Sequence, residues 1–297
     1  MDKPAIGFIG LGLMGSAMVE RLQALGYGVT VMAHRSRPNI DAAVARGAVE
    51  VATARELAAA SDIVMLCVDT SASVEGLMRG PDGVLAGLKQ GALVIDFGTS
   101  LPGSTRALAK ETAAAGGAYM DAPLGRTPAD ALKGRLNIMA AGAEEDFDRA
   151  RPVLEDLGEN VFHVGPVGAG HTLKLINNFY GMTTACAMSE AFAMADLAGL
   201  PRDRLYAVMS AGPLNSGMMG FVAANAIEGD PNKLEFSIAN ARKDVGYYAA
   251  MADELGVPSI MSQAPKTALG LAGAEGYSDK RVSQMVDWFA GLFGGRR

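Results

Sequence analysis

Two hydrophobic rhythms divide the chain. In the first half, short apolar runs recur at residues 5–9, 29–32, 62–68, 93–96, 118–121, 135–140 and 161–164, and each has the length of a buried strand. Between them lie stretches of helical period. One covers 16–25, a second is opened by the capping-box pattern Thr53-x-x-Glu56, a third covers 102–115 behind Pro102, and a fourth covers 144–157. Strands that alternate with helices predict a mostly parallel, doubly wound α/β sheet over residues 1–165. After Val164 the strand signals stop. A single stretch from Gly165 to Gly199, rich in Ala, Met and Leu and without Pro after Pro166, predicts one long helix. Further helices are expected at 202–210, 217–227, 236–255, 259–271 and 279–293, so residues 166–297 form an all-α domain joined to the first by the long interdomain helix.

Length and composition narrow the function. A chain of 297 residues exceeds what one core usually fills, which agrees with two domains. The net charge of −6 and the lack of a basic run before Arg296-Arg297 exclude a nucleic-acid surface. Three scattered histidines and two distant cysteines provide neither a metal site nor a disulfide framework. No apolar stretch has the length of a membrane span and no cleavable leader is evident, so a cytoplasmic protein is expected.

The first strand runs directly into Gly10-Leu11-Gly12-Leu13-Met14-Gly15 and then a helix, the setting in which G-x-G-x-x-G marks a Rossmann dinucleotide site. Gly10 makes the tight turn, Gly12 admits a pyrophosphate to the backbone, Gly15 lets helix pack on strand, and the helix N-terminus supplies N–H groups to the phosphate. At the end of the second strand an NAD site wants a carboxylate for the ribose. Here stands Ala33-His34-Arg35-Ser36-Arg37. Arginine suits a 2′-phosphate, so NADP is expected in preference to NAD, with His34 and Ser36 as further contacts; the alternative is two solvated loop arginines.

In doubly wound sheets ligands gather beyond the strand C-termini. Those ends carry Val68-Asp69, Thr99-Ser100 and Ala122-Pro123-Leu124-Gly125-Arg126-Thr127. Glycine, a fixed cation and a hydroxyl at Gly125, Arg126 and Thr127 suit an anionic substrate group. On the long helix, Lys174, Asn177 and Asn178 share one face by their spacing. A lysine there is either a surface group keeping its charge wet or a proton-transfer residue. Lys243-Asp244, in a later helix, is either a solvated pair or places Lys243 against a cofactor.

These motifs together resemble the β-hydroxyacid dehydrogenase family, which includes 3-hydroxyisobutyrate dehydrogenase and several semialdehyde reductases. The likeness covers essentially the whole chain. Residues 7–15 resemble the family's cofactor signature, and Gly168-Ala169-Gly170 through Lys174 and Asn178 resemble its catalytic signature. Phe236 with Lys243-Asp244 is similar to its C-terminal cofactor-contacting helix, and Thr99 falls at its cofactor-contacting threonine. The resemblance implies hydride transfer between nicotinamide and a small 3-hydroxy acid or aldehyde in the interdomain cleft, with Lys174 as general acid or base. Asn178 would bond Lys174 or the substrate, Asn177 would stand beside it, and Thr99 and residues 125–127 would hold the substrate anion. A homodimer or homotetramer is implied as well. Where the family has Asp-Ala-Pro-Val-Ser-Gly-Gly, this chain has Asp121-Ala122-Pro123-Leu124-Gly125-Arg126-Thr127. That version resembles the sulfolactaldehyde reductase branch, in which arginine helps hold a sulfonate and NADH is used, whereas Arg35 and Arg37 here point to NADP. A glyoxylate or succinic semialdehyde reductase is the alternative inside the family. An imine reductase or a non-catalytic NADP-binding protein is the alternative outside it; Lys174 speaks against both.

Overall fold

The computed structural model describes residues 3–32 and 36–294. Its tertiary contacts divide the chain into two compact units, one up to Lys174 and one from Leu175 onward, so the division falls inside the long helix.

The first unit is built on a six-stranded sheet: β1 (Ile6–Ile9), β2 (Val29–Met32), β3 (Val49–Val51), β4 (Ile63–Leu66), β5 (Leu93–Asp96) and β6 (Ala118–Asp121). Every pairing is parallel and the order is β3-β2-β1-β4-β5-β6. Every residue of β1, β4 and β5 is buried, as a sheet covered by helices on both faces requires. One apolar cluster, with Phe8, Met18, Leu22 and Leu154, fills one side; another, with Leu57, Leu66, Met78 and Leu108, fills the other. The edge strand β3 is short and mostly exposed, and its Val-Glu-Val gives no distinctive apolar run.

The expected strands at 135–140 and 161–164 do not extend this sheet. They form a second, three-stranded sheet of β7 (Leu124–Gly125), β8 (Leu136–Ala140) and β9 (Gly158–His163). β7 runs antiparallel to β8, and β8 parallel to β9. The physical reason lies in the side-chain pattern. In β8, Leu136, Ile138 and Ala140 are buried while Asn137 and Met139 are only partly covered, the alternation of a sheet buried on one face.

The second unit is helical. The long helix spans Ala169–Leu197, and Pro201 follows it. Helices Arg202–Ser210, Gly217–Ala223, Ile238–Glu254, Gln263–Ala272 and Met285–Gly294 follow. Their core joins Phe192, Val222, Ile238, Val245, Leu269, Trp288 and Phe289. The helix expected from residue 236 starts at Ile238, because the Ser237 hydroxyl caps it by accepting from the Asn240 N–H at 3.2 Å.

Candidate active site

The glycine loop after β1 has the geometry its spacing implies. Gly10 has φ +99°, and a Cβ there would lie 2.3 Å from the Cys67 carbonyl oxygen. A Cβ on Gly15 would lie 2.0 Å from the Gly10 carbonyl oxygen. Gly12 differs: apart from its chain neighbours, no atom of the described residues lies within 4 Å of where its Cβ would be. Gly12 also stands at the N-cap of the helix Leu13–Ala24 and provides no side-chain hydrogen bond to that helix's first N–H groups. A backbone cradle left open beside an uncapped helix N-terminus fits a dinucleotide pyrophosphate. Leu11 and Met14 pack against the core, Leu13 is exposed, and the Asn39 side chain ties the loop by donating to the Leu11 carbonyl at 2.7 Å.

The strand ends converge beside this loop. A Cβ on Gly10 would touch Val68, and one on Gly98 would lie 2.9 Å from the Val68 carbonyl oxygen. Asp69 is exposed and accepts from the Ser73 hydroxyl at 3.1 Å. Thr99 is half-buried in a turn organised by Asp96, whose carboxylate accepts from the Gly98 N–H at 2.8 Å and the Ser100 hydroxyl at 3.0 Å. His34 and Arg35 lie outside the described residues, and Ser36 is exposed. Arg37 pairs with Glu50 at 2.5 Å and with Asp41 at 2.6 Å, so its charge is already compensated within the protein.

The loop after β6 carries the candidate substrate groups. Lys174 is half-buried and its Nζ donates to the Leu124 carbonyl at 2.7 Å. This brings the lysine of the long helix onto the loop 121–127. Gly125 pairs with Asn137 in the small sheet. Arg126 has φ +77°, the only positive φ of a non-glycine residue among those described. That left-handed conformation costs an arginine about 1–3 kcal/mol. Its guanidinium donates to the Arg135 carbonyl at 2.7 Å and to the Glu159 carboxylate, two tethers that hold it there. Thr127 begins the helix Pro128–Leu132: its hydroxyl donates to Asp130 at 2.8 Å and accepts from the Asp130 N–H. Hydrogen bonding to Thr127 holds the Asp130 carboxyl below the usual range despite some burial.

Sequence reasoning missed the polar network beneath this loop. Asp121 is buried; its two oxygens accept from the Gly168 and His171 N–H groups at 2.7 Å each. Burial raises its pKa, opposed chiefly by His171 and by those two N–H donors. His171 is fully buried, with Nδ1 2.7 Å from the Thr105 hydroxyl and Nε2 3.7 Å from Asp96. The available signal was a carboxylate ending each of two apolar strands, at Asp96 and Asp121.

In the second unit, Asn177 is exposed and donates to the Asn178 side-chain oxygen at 3.2 Å. Asn178 is buried and donates in turn to Asp244 at 2.6 Å. The other Asp244 oxygen sits 3.1 Å from the Lys243 ammonium, which also lies 5.5 Å from the centre of the Tyr247 ring. Phe236 packs on the helical core just ahead of that helix.

Among the described residues, no group of three or more His, Cys, Asp and Glu side chains could hold a metal ion, and no helix is long and apolar enough to cross a membrane. Burial pushes the Cys186 thiol up to about 12, with the Glu190 charge adding to it, so it is a poor nucleophile near neutral pH.

Known proteins share this architecture throughout. Residues 5–165 match the NAD binding domain of 6-phosphogluconate dehydrogenase, and residues 168–289 match the NAD-binding domain of NADP-dependent 3-hydroxyisobutyrate dehydrogenase. The 2-(hydroxymethyl)glutarate dehydrogenase of Eubacterium barkeri is 34% identical over 263 residues, covering 86% of this chain and 85% of its own. The 3-sulfolactaldehyde reductase of Escherichia coli is 32% identical over 291 residues, covering 96% and 94%. A Mycobacterium tuberculosis 3-hydroxyisobutyrate dehydrogenase structure, with L-serine, superposes with a TM-score of 0.87 at 26% identity, covering 97% of this chain and 99% of that one. A nucleotide loop with the fingerprint's sterics, a lysine delivered onto the loop beyond the sheet, and relatives that agree from end to end lead to one family: the chain belongs to the β-hydroxyacid dehydrogenases, NAD(P)-dependent oxidoreductases that act on the CH–OH groups of hydroxy acids and the matching semialdehydes.

Proposed function

We propose that this enzyme interconverts a small anionic semialdehyde and its 3-hydroxy acid with NADP, and that Lys174 carries the proton. The observation that carries this reading is the Lys174 ammonium held 2.7 Å from the Leu124 carbonyl, on the loop that also bears Arg126. The bound nicotinamide supplies or accepts the hydride. The chain's own residues bind, orient and handle the proton. Gly10, Gly12 and Gly15, with Leu11, Leu13 and Met14, present the backbone and helix N-terminus to the pyrophosphate. His34, Arg35 and Ser36 receive the 2′-phosphate, which fits the missing ribose carboxylate and the NADP-dependent family model of the second half. Val68, Asp69 and Thr99 flank the cofactor at the strand ends, and Phe236 and Lys243 are its further contacts, as the family resemblance implies. In reduction, Lys174 gives a proton to the carbonyl oxygen; in oxidation it takes one from the hydroxyl. Asn178 and Asn177 orient the substrate beside it.

Gly125, Arg126 and Thr127 hold the substrate anion. Arg126 is kept in a left-handed conformation by Arg135 and Glu159, and strain of that kind concentrates at functional sites. A sulfonate is favoured, because a relative at 32% identity is named a 3-sulfolactaldehyde reductase. A carboxylate in the same place is the second reading, supported by the 2-(hydroxymethyl)glutarate dehydrogenase relative. We also propose a homodimer or homotetramer, supported by large apolar side chains exposed on the helical unit, among them Val208, Leu255, Ile260 and Met261.

The test is NADPH and NADH oxidation with sulfolactaldehyde, methylmalonate, succinate and tartronate semialdehydes, and glyoxylate. Selective turnover of sulfolactaldehyde assigns Arg126 to the sulfonate. Preference for a carboxylate aldehyde moves the loop to that role. Turnover of none of them overturns the reading. Lys174→Ala is expected to abolish turnover and leave NADPH binding intact; Arg35→Ala is expected to weaken NADPH and spare NADH.

A further inference from the structure

Resting on the reading of Lys174 as the proton-transfer residue, we propose that Asp121 is a positioning residue: its carboxylate caps the long helix from across the sheet and so sets where the Lys174 ammonium stands. The helix begins at Ala169, behind a glycine that has no side chain with which to cap it. Asp121, at the end of β6, supplies two acceptors there, Oδ1 to the Gly168 N–H and Oδ2 to the His171 N–H, at 2.7 Å each. The helix start is pressed against the same place. A Cβ on Gly170 would lie 2.4 Å from the Met139 carbonyl oxygen and 2.9 Å from Asp121 Oδ2.

A second hold comes from His171. Its buried ring meets the Thr105 hydroxyl at 2.7 Å and lies 3.7 Å from Asp96. Asp96 in turn organises the turn that carries Thr99. One network therefore joins the ends of β5 and β6 to the first turn of the helix. Lys174 follows His171 by three residues, about 4.5 Å along the axis, and reaches Leu124, three residues past Asp121. Cap and lysine thus close a short loop: the helix is fixed at Asp121, and the ammonium returns to the same segment. Losing either cap bond frees the first turn to tilt, and a shift of about 1 Å in a reacting group costs on the order of a hundredfold in rate.

The experiment uses the full-length protein, NADPH and the aldehyde turned over fastest. Asp121→Asn keeps the size but leaves one of the two N–H groups facing an amide donor. Its kcat is expected to fall about 10- to 100-fold, with the NADPH dissociation constant within twofold of the parent. Added to Lys174→Ala, it is expected to cause no further loss, because it acts through the lysine. Thr105→Val, which removes the His171 partner, is expected to lower kcat about 3- to 10-fold, and Thr105→Ser to restore it; this pair decides the matter if Asp121→Asn does not fold. The proposal is overturned by Asp121→Asn turning over at the parent rate, by equal losses in turnover and NADPH binding, or by an unchanged Thr105→Val when Asp121→Asn fails to fold. A fully active Lys174→Ala removes the reading of the lysine itself, a result distinct from any of these.

Discussion

Two glycines three residues apart, Gly15 and Gly12, separate cleanly in experiment. A methyl on Gly15 would sit 2.0 Å from the Gly10 carbonyl oxygen, about 1 Å inside the 3.0 Å that real Cβ atoms keep, and 3.0 Å from Phe8. The obstacle is backbone, so the helix Leu13–Ala24 must move off β1. Overpacking of this kind costs about 1–3 kcal/mol. For a unit of this size each kcal/mol shifts the midpoint by about 2–4 °C, so Gly15→Ala is expected to unfold about 2–12 °C earlier without cofactor. A methyl on Gly12 meets no atom of the described residues beyond its chain neighbours, and the backbone there, at φ −71° and ψ −161°, is one that alanine adopts. Gly12→Ala is therefore expected to keep the midpoint close to the parent's, because about 0.4–1 kcal/mol of unfolded-state entropy is offset by alanine's poorer fit at the N-cap position. Its methyl fills the space proposed for the pyrophosphate. A loss of about 1–3 kcal/mol there is a 5- to 150-fold weaker NADPH dissociation constant. Differential scanning fluorimetry without cofactor and fluorescence titration with NADPH read the two effects. A Gly12→Ala protein that melts as early as Gly15→Ala, or binds NADPH as the parent does, refutes the assignment of the open cradle.

Other outcomes follow from single contacts. Asn178→Ala leaves the buried Asp244 carboxylate with one partner fewer; urea unfolding is expected to show a loss of about 1–3 kcal/mol, and no loss would contradict the 2.6 Å bond. Asp130 has a folded pKa below its unfolded value, so its stabilisation is present above about pH 4 and is lost as pH falls through the folded value. The parent should outlast Asp130→Asn by about 0.5–1 kcal/mol at pH 7, with the gap closing on acidification; a gap independent of pH would show that charge plays no part. Glu159→Gln weakens one of the two tethers that hold Arg126 in its left-handed conformation and is expected to raise KM for the anionic aldehyde several-fold without changing kcat; a lowered KM would mean that Glu159 competes with the substrate for Arg126.

Much of the molecule was written in local sequence. The glycine loop was legible because its sterics belong to residues 7–15 and to the strand and helix on either side. The alternation of strand and helix was legible for the same reason, as was the long helix, whose composition forms a helix wherever it lies. Edge strand β3 was not, because a short, exposed Val-Glu-Val has no apolar pattern of its own. Nor did the separation of β8 and β9 into a second sheet follow from their spacing, since pairing is chosen among strands and depends on which faces the fold covers. At the site, residue chemistry marked Lys174 and Arg126 as candidates, and the family resemblance implied their roles. Only the tertiary structure decided that Lys174 meets Leu124, that Arg126 is tied to Glu159, and that Thr127 serves as a helix cap. The Asp121 cap lay furthest from view. Its partners are 47 and 50 residues away, and a buried carboxylate acquires its role from whichever backbone N–H groups the fold brings to it.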